Sequence, residues 1–189
     1  MLFRSITYVQ HQTAPFPTRI WLPPFAEPIA SQVSPLMSRT VNAIGMIIAT
    51  ALEERGQVGA THMGSGFDAW YPGYIDYMPM LQNRAAFWTE TALYRYATPH
   101  FYTVNDFPKD KTALRPESLY SSPWKGGWWR LRDAVEYMLT ASEAVLDYAA
   151  KYKENVLYNR YQAGRDAIRK YSQEPPFAYL VPQEQRDPV

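Results

Sequence analysis

The amino-acid sequence predicts an α/β fold in which helices flank a sheet. Short runs at 5–9 and 85–92 are rich in β-branched, aromatic or small apolar residues and have the length of strands. Longer segments at 36–52 and 130–153 carry apolar residues at helical spacing. Because strands and amphipathic helices alternate, we expect them to pack as layers, with active groups at the carboxyl ends of the strands.

The strand at 5–9 leads directly to Gln10 and His11 at its carboxyl end. Six prolines follow between residues 13 and 35, among them the pair Pro23 and Pro24. Because proline lacks a backbone N–H and disfavours helix, this stretch predicts an extended, ordered loop.

The first helix is expected to begin at Ser34 and Pro35, as N-cap and first helical residue, and to stop at Gly56. We expect one face of it to pack on the sheet. The apolar residues at helical spacing are Leu36, Val41, Ile44, Ile47, Ile48, Ala51 and Leu52.

Residues 59–84 are rich in glycine, methionine and aromatic residues, which predicts a long functional loop. The run 64–66 (GSG) within it predicts a turn. The strand at 85–92 follows, and then a polar segment at 105–110 of surface character.

The second helix, at 130–153, has the clearest amphipathic pattern in the chain. A more charged helix at 157–171 is expected on the surface or between domains, and 177–181 has the composition of a strand that opens a further region. The apolar pattern of the second helix consists of Val135, Met138, Leu139, Ser142, Val145, Leu146 and Ala149.

Composition and charge restrict the possible partners of this chain. With 189 residues it is long enough for one domain with a sizeable core. A net charge of +1 disfavours binding to nucleic acid or to an anionic membrane, and the lack of cysteine excludes disulfides and thiolate metal sites. No apolar run of about 20 residues and no signal peptide are evident, so the localisation is left open.

Aromatic residues are unusually frequent, with 15 Tyr, 6 Trp and 8 Phe. They suit the walls of a binding cleft, and they equally suit a core beneath long loops. Glu90 stands within the apolar run at 85–92, where a carboxylate favours a role as acid or base beside a metal ion or a protonated ligand. The alternatives are an edge strand with Glu90 facing water, or an ion pair with Arg84 or Arg95.

His11, at a strand end, is the best placed of three histidines to bind a metal ion, but the chain has no His-x-x-Glu pair to complete a catalytic zinc site. It also lacks a Gly-x-Ser-x-Gly elbow, a Walker loop and a dinucleotide fingerprint.

Four segments resemble, in the same order, the bacterial zinc carboxypeptidases of the M14 (carboxypeptidase A-like) family. They are QHQ at 10–12, RIWLPPFAEPI at 19–29, FDAWYPGY at 67–74 and WTETA at 88–92. Residues 177–188 resemble the start of the extra C-terminal region of the large members. The resemblance implies a partial mixed-sheet, zinc carboxypeptidase-like (phosphorylase/hydrolase-like) fold with flanking helices.

The resemblance also assigns roles to residues. It implies that His11 is the third zinc ligand, that Glu90 deprotonates the zinc-bound water, and that Tyr71 or Tyr74 binds a peptide substrate. The other two ligands of this enzyme class are a His-x-x-Glu pair. That pair precedes the third ligand by a long stretch, and this chain starts about ten residues before His11.

We therefore expect 1–153 to be the C-terminal half of a peptidase M14 domain, and 154–189 a helical connector with the start of a further region. The expected function is metallopeptidase hydrolysis of C-terminal peptide bonds by a fragment that is inactive alone and is completed by the missing N-terminal half. The alternative is a non-catalytic peptide- or glycan-binding module. Full-length relatives are expected to be exported.

Overall fold

The computed structural model describes residues 5–13, 17–74, 77–93, 97–111 and 114–184, without the side chains of Ser65 and Lys111. Its architecture confirms the α/β class: a mixed four-stranded sheet carries helices, and a two-stranded sheet adjoins it. The elements are β1 (Ile6–Thr13), β2 (Ile20–Ala26), α1 (Pro35–Glu54), β3 (Ala60–Asp68), β4 (Ala85–Ala92), β5 (His100–Tyr102), β6 (Gly127–Trp129), α2 (Leu131–Lys151) and α3 (Lys153–Gln173).

The larger sheet has the strand order β1-β4-β2-β3. β1 is parallel to β4 and β2 is parallel to β3, whereas β2 and β4 are antiparallel. All eight residues of β4 are buried, including the polar Thr89, Glu90 and Thr91, as expected for an inner strand that is covered on both faces. The predicted bounds of this strand are confirmed.

Helix α1 also forms where the sequence predicts it. Ser34 is the N-cap and Pro35 the first helical residue, although no side-chain hydrogen bond caps the helix. Gly56, with φ of 68°, lies just past its end. The buried face packs against the sheet through Met37, Val41, Ile44, Ile48 and Leu52.

By length and mean hydropathy, α1 could also cross a membrane, contrary to the expectation that no segment is long and apolar enough. A buried core helix meets the same criterion, and the apolar face of α1 lies in the core.

The prediction of a loop over residues 13–35 is wrong, because β2 lies within this segment. Pairing of β2 with β4 involves only Ile20 and Trp21, and the register with β3 shifts between Leu22 and Phe25. Pro23 and Pro24 fall in that irregular part, where their missing N–H groups interrupt no regular ladder.

The prediction of a single loop over residues 59–84 is also wrong, since the first part of this segment forms β3. The run 64–66 lies inside that strand and forms no turn. β3 pairs with β2 from Ile20 beside Ala60 to Leu22 beside His62. This long-range pairing overrides the weak strand preference of the glycines.

Helix α2 confirms the predicted segment but not the predicted inward face. Val145 is buried as expected, whereas Val135, Leu139 and Leu146 are 39%, 50% and 69% exposed. Smaller side chains take their place and allow α2 to approach α1 closely. The buried residues of α2 are Ala134, Tyr137, Thr140, Ala141, Ala144 and Val145.

Helix α3 begins one residue after Tyr152 and is mostly exposed, with Val156 and Ala163 as its buried residues. This agrees with the predicted surface helix. The expected strand at 177–181 is not formed: the segment has no regular structure, and Phe177, Tyr179, Leu180 and Val181 are at least 69% exposed. Strand-forming composition needs a neighbouring strand, and this segment pairs with none in the part of the chain that is described.

Candidate functional site

His11 and Glu90 meet across the parallel pair β1 and β4. They are register partners, and His11 Nδ1 lies 3.1 Å from Glu90 Oε2. Both stand near the carboxyl ends of their strands. The expectation that residues 79 positions apart come together at this end of the sheet is confirmed.

The two side chains differ in their access to solvent. The Glu90 side chain is 8% exposed and that of His11 is 58% exposed. Because β4 is an inner strand, the alternative in which Glu90 faces water from an edge strand is wrong. Arg84 precedes β4 and makes no ion pair with Glu90 in the described part of the chain, while Arg95 lies outside the described residues.

The Nδ1 atom of His11 has a second neighbour, the carbonyl oxygen of Gln12 at 3.1 Å. Two acceptors around one ring nitrogen favour the tautomer that carries its proton on Nδ1. In that tautomer Nε2 has a free lone pair, which suits a metal ion or a proton. Histidine ligands of metals commonly donate their other N–H group to a carboxylate or a carbonyl in this way.

Aromatic side chains cover the sheet face to which Glu90 belongs. Trp88 stands two residues earlier on β4 and therefore on the same face. Its ring lies 5.5 Å from that of Tyr74 and 5.4 Å from that of Tyr77, between ring centroids. Tyr71 packs in turn against Tyr74, with ring centroids 4.9 Å apart and ring planes tilted by 55°.

Tyr71 and Tyr74, predicted to bind substrate, thus lie on the loop that covers this face, and they are 51% and 37% exposed. Tyr77, which the sequence did not single out, is 4% exposed and donates a hydrogen bond to the carbonyl of Asp68. Tyr77 therefore anchors the loop, while the other two tyrosines present ring surface to solvent.

Trp21 is the register partner of Glu90 on the other side, on β2. Its indole Nε1 is buried and has no hydrogen-bond partner among the described residues. Buried donors of this kind are uncommon in native proteins.

The described residues do not fit a complete zinc site, since no group of three potential ligands occurs among them. His62 is buried on β3, where its Nδ1 bonds the carbonyl of Pro23 and burial lowers its pKa. His100 on β5 packs against the ring of Tyr102. Neither histidine joins His11 and Glu90.

Arg19, for which no local sequence pattern predicts a role, is fully buried. Its guanidinium lies 3.8 Å from the centre of the Trp124 ring and 4.6 Å from that of Trp129. Burial lowers the pKa of Arg19 to about 10. These contacts assign Arg19 to the core that joins the two sheets.

A cavity of about 520 Å³ lies away from the histidine and glutamate pair. It opens between the end of β2, the first turns of α1 and the end of α3. The lining includes Phe25, Tyr77 and Met80, with Glu27, Arg39 and Lys170 as charged residues. His11 and Glu90 are absent from this lining, so the pair stands outside the cavity.

Comparison of the chain with protein-family models, with curated proteins and with solved structures found no match.

Proposed function

We propose that this chain contributes His11 and Glu90 to a metallocarboxypeptidase-type hydrolysis of C-terminal peptide bonds, and that it is inactive alone. The observation that carries the proposal is the contact between His11 Nδ1 and Glu90 Oε2 at the carboxyl ends of β1 and β4. It joins a potential metal ligand and a potential base from distant parts of the chain.

The chemistry of the pair supports these roles. The Glu90 carboxylate is shielded from bulk water and lies within hydrogen-bond distance of His11 Nδ1. Glu90 is therefore suited to take a proton from a nucleophile and return it to a leaving amine. His11, held through Nδ1, keeps Nε2 for a metal ion.

A catalytic zinc ion needs three protein ligands and an open position. Because the described residues lack that set, the remaining donors have to come from elsewhere. Zinc is thus the proposed cofactor of a completed assembly, with a second polypeptide that carries a His-x-x-Glu pair. The exposed rings of Tyr71 and Tyr74 are the proposed contacts for the peptide substrate.

The second candidate is a non-catalytic peptide- or glycan-binding module. The observation that favours it is the pair of exposed rings in contact, Tyr71 and Tyr74, beside an incomplete set of metal donors among the described residues. Aromatic platforms of this kind bind sugars and peptide side chains without any metal ion.

Complementation separates the two candidates. The chain is mixed with the N-terminal half of a full-length M14 enzyme, and release of C-terminal amino acids from a peptide is measured with zinc present. The hydrolase proposal expects release from the mixture and none from either part alone. If the mixture stays inactive while the lone chain binds peptide, and Tyr71→Ala abolishes that binding, the binding module is the correct function.

A further inference from the structure

We propose that the outer edge of β1 and an exposed apolar stripe on α2 form a twofold interface between two copies of this chain. The stripe consists of Leu131, Val135, Leu139 and Leu146. The inference does not rest on the proposed function.

β1 is an edge strand whose outer side is open. It hydrogen-bonds only to β4 in the described part of the sheet. The opposite edge, β3, is covered: Thr61 Oγ1 bonds the carbonyl of Leu119 at 2.9 Å, and the N–H of Gly59, just before it, bonds the carbonyl of Ser122 at 2.7 Å. The segment at 5–13 contains no Asp, Glu, Lys or Arg. Edge strands of monomeric proteins are usually protected by such charges or by covering segments.

The stripe on α2 is also without a partner in the described structure. Its four side chains are between 39% and 69% exposed. Leu131, Val135 and Leu139 are spaced by four residues and Leu146 follows after seven, so all four lie on one side of the helix. Contiguous apolar surface of this kind commonly marks an interface.

Gln10 fixes the position of the stripe relative to β1. Its Nε2 donates hydrogen bonds to the carbonyl of Met138 at 3.0 Å and to Ser142 Oγ at 2.7 Å. At about 100° per residue, Ser142 lies within the stripe, between Leu131 and Val135, and Met138 lies at the border between the stripe and the buried face. This border stands above the edge strand, so the rest of the stripe projects past the edge, over the space that a neighbouring strand would fill.

The centres of the two features coincide, which favours a second copy as the occupant. Gln10 lies at the middle of β1, and the residues it contacts lie at the middle of the stripe. One twofold axis just outside the edge, beside Gln10, pairs β1 with β1 and α2 with α2, both antiparallel.

The charges flanking the stripe are complementary across that axis. Antiparallel helices centred between residues 138 and 139 place Leu131 opposite Leu146 of the second copy. Arg132, beside one end of the stripe, then faces Glu143 and Asp147 beside the other end, and extends the ion pairs that these side chains already make within their own chain. These opposite charges select the antiparallel arrangement over the parallel one.

The contact between the two α2 helices lies on the face of β1 opposite to the histidine and glutamate pair. Side chains alternate along β1, so Gln10 lies on the α2 face and His11 on the opposite face. Association through α2 therefore leaves the His11 and Glu90 side chains outside the contact between the helices.

Sedimentation equilibrium over a range of concentrations tests the proposal. The wild-type chain is expected to reach twice its mass of 21.8 kDa. Leu139→Glu, which places like charges beside the axis, should weaken dimerisation by about 100-fold or more. The matched control is Leu157→Glu on α3, at a residue that is 53% exposed and outside the stripe, and it should dimerise like the wild type.

Two variants of Leu139 with opposite charges distinguish the loss of the interface from a folding defect. Leu139→Glu and Leu139→Lys should each be monomeric, and an equimolar mixture should regain the dimer. A wild-type chain that stays monomeric at every concentration overturns the proposal. So does equal weakening by Leu157→Glu, a mixture that remains monomeric, or a chain that associates only with the N-terminal half of an M14 enzyme.

Discussion

Gly45→Ala should destabilise the protein, because α1 approaches β2 so closely that no side chain fits at this residue. A Cβ atom on Gly45 would lie 2.1 Å from the carbonyl oxygen of Pro23 and 2.7 Å from its carbonyl carbon. Both are backbone atoms and cannot rotate away. The same oxygen accepts the hydrogen bond from His62 Nδ1, so a shift of β2 also disturbs that contact.

The opposing contributions can be compared. Alanine improves helix propensity by about 1 kcal/mol relative to glycine. Overpacking typically costs about 1–3 kcal/mol, and a weakened buried hydrogen bond adds about 1–3 kcal/mol. We expect a net loss of about 2–4 kcal/mol in the free energy of unfolding, or a fall in Tm of roughly 5–10 °C for a domain of this size.

Urea denaturation followed by tryptophan fluorescence measures the effect, since the chain contains six tryptophans. Gly164→Ala is the matched control. It changes another helical glycine, whose added Cβ would meet only Asn83 Nδ2, at 3.7 Å. That variant should be as stable as the wild type or more stable by up to about 1 kcal/mol. Equal stability of Gly45→Ala and the wild type would refute the close packing of α1 on β2.

Three further outcomes are expected. Burial lowers the pKa of His62 below its ordinary value of 6.5, so the unfolded chain binds a proton before the folded one does, and the free energy of unfolding decreases as the pH falls below 6.5. His62→Asn, which keeps a donor for the Pro23 carbonyl, should make the free energy of unfolding less dependent on pH between pH 5 and 8, as measured by urea denaturation. An unchanged pH dependence in His62→Asn would contradict this. Arg19→Ala should cost about 3 kcal/mol, because it empties a buried site against Trp124, and a loss below about 1 kcal/mol in the same melts would contradict this. In calorimetric titration the isolated chain should bind zinc more weakly than about 1 µM, since no group of three potential ligands includes His11 among the described residues, and a tighter stoichiometric site lost in His11→Ala would refute this.

The elements that were predicted correctly from the sequence are those in which the spacing of apolar residues along the chain matches the residues that become buried. β4 is buried on both faces, and its first four residues, 85–88, form a continuous apolar run. α1 presents one apolar face between clear start and stop signals. The meeting of His11 and Glu90 followed from these strands, because the carboxyl ends of neighbouring parallel strands lie together.

The elements that sequence reasoning missed depend on distant partners. β2 contains two prolines and β3 two glycines, and both strands are held by pairing with residues far along the chain. In α2 the larger apolar residues predicted the wrong face, because alanine and threonine pack more closely against the neighbouring helix. The buried position of Arg19 depends on aromatic residues more than 80 positions away, which no local pattern reveals.

Turnover by a Glu90→Gln variant tests the central claim most directly, in the assembly completed by the N-terminal half of a full-length M14 enzyme. Glutamine keeps the shape of the side chain but cannot accept the proton. We expect kcat for release of C-terminal amino acids to fall by about 100-fold or more while zinc stays bound, whereas His11→Ala should lose the metal ion. Near-normal hydrolysis by Glu90→Gln would contradict the account and would make the buried carboxylate a structural partner of His11.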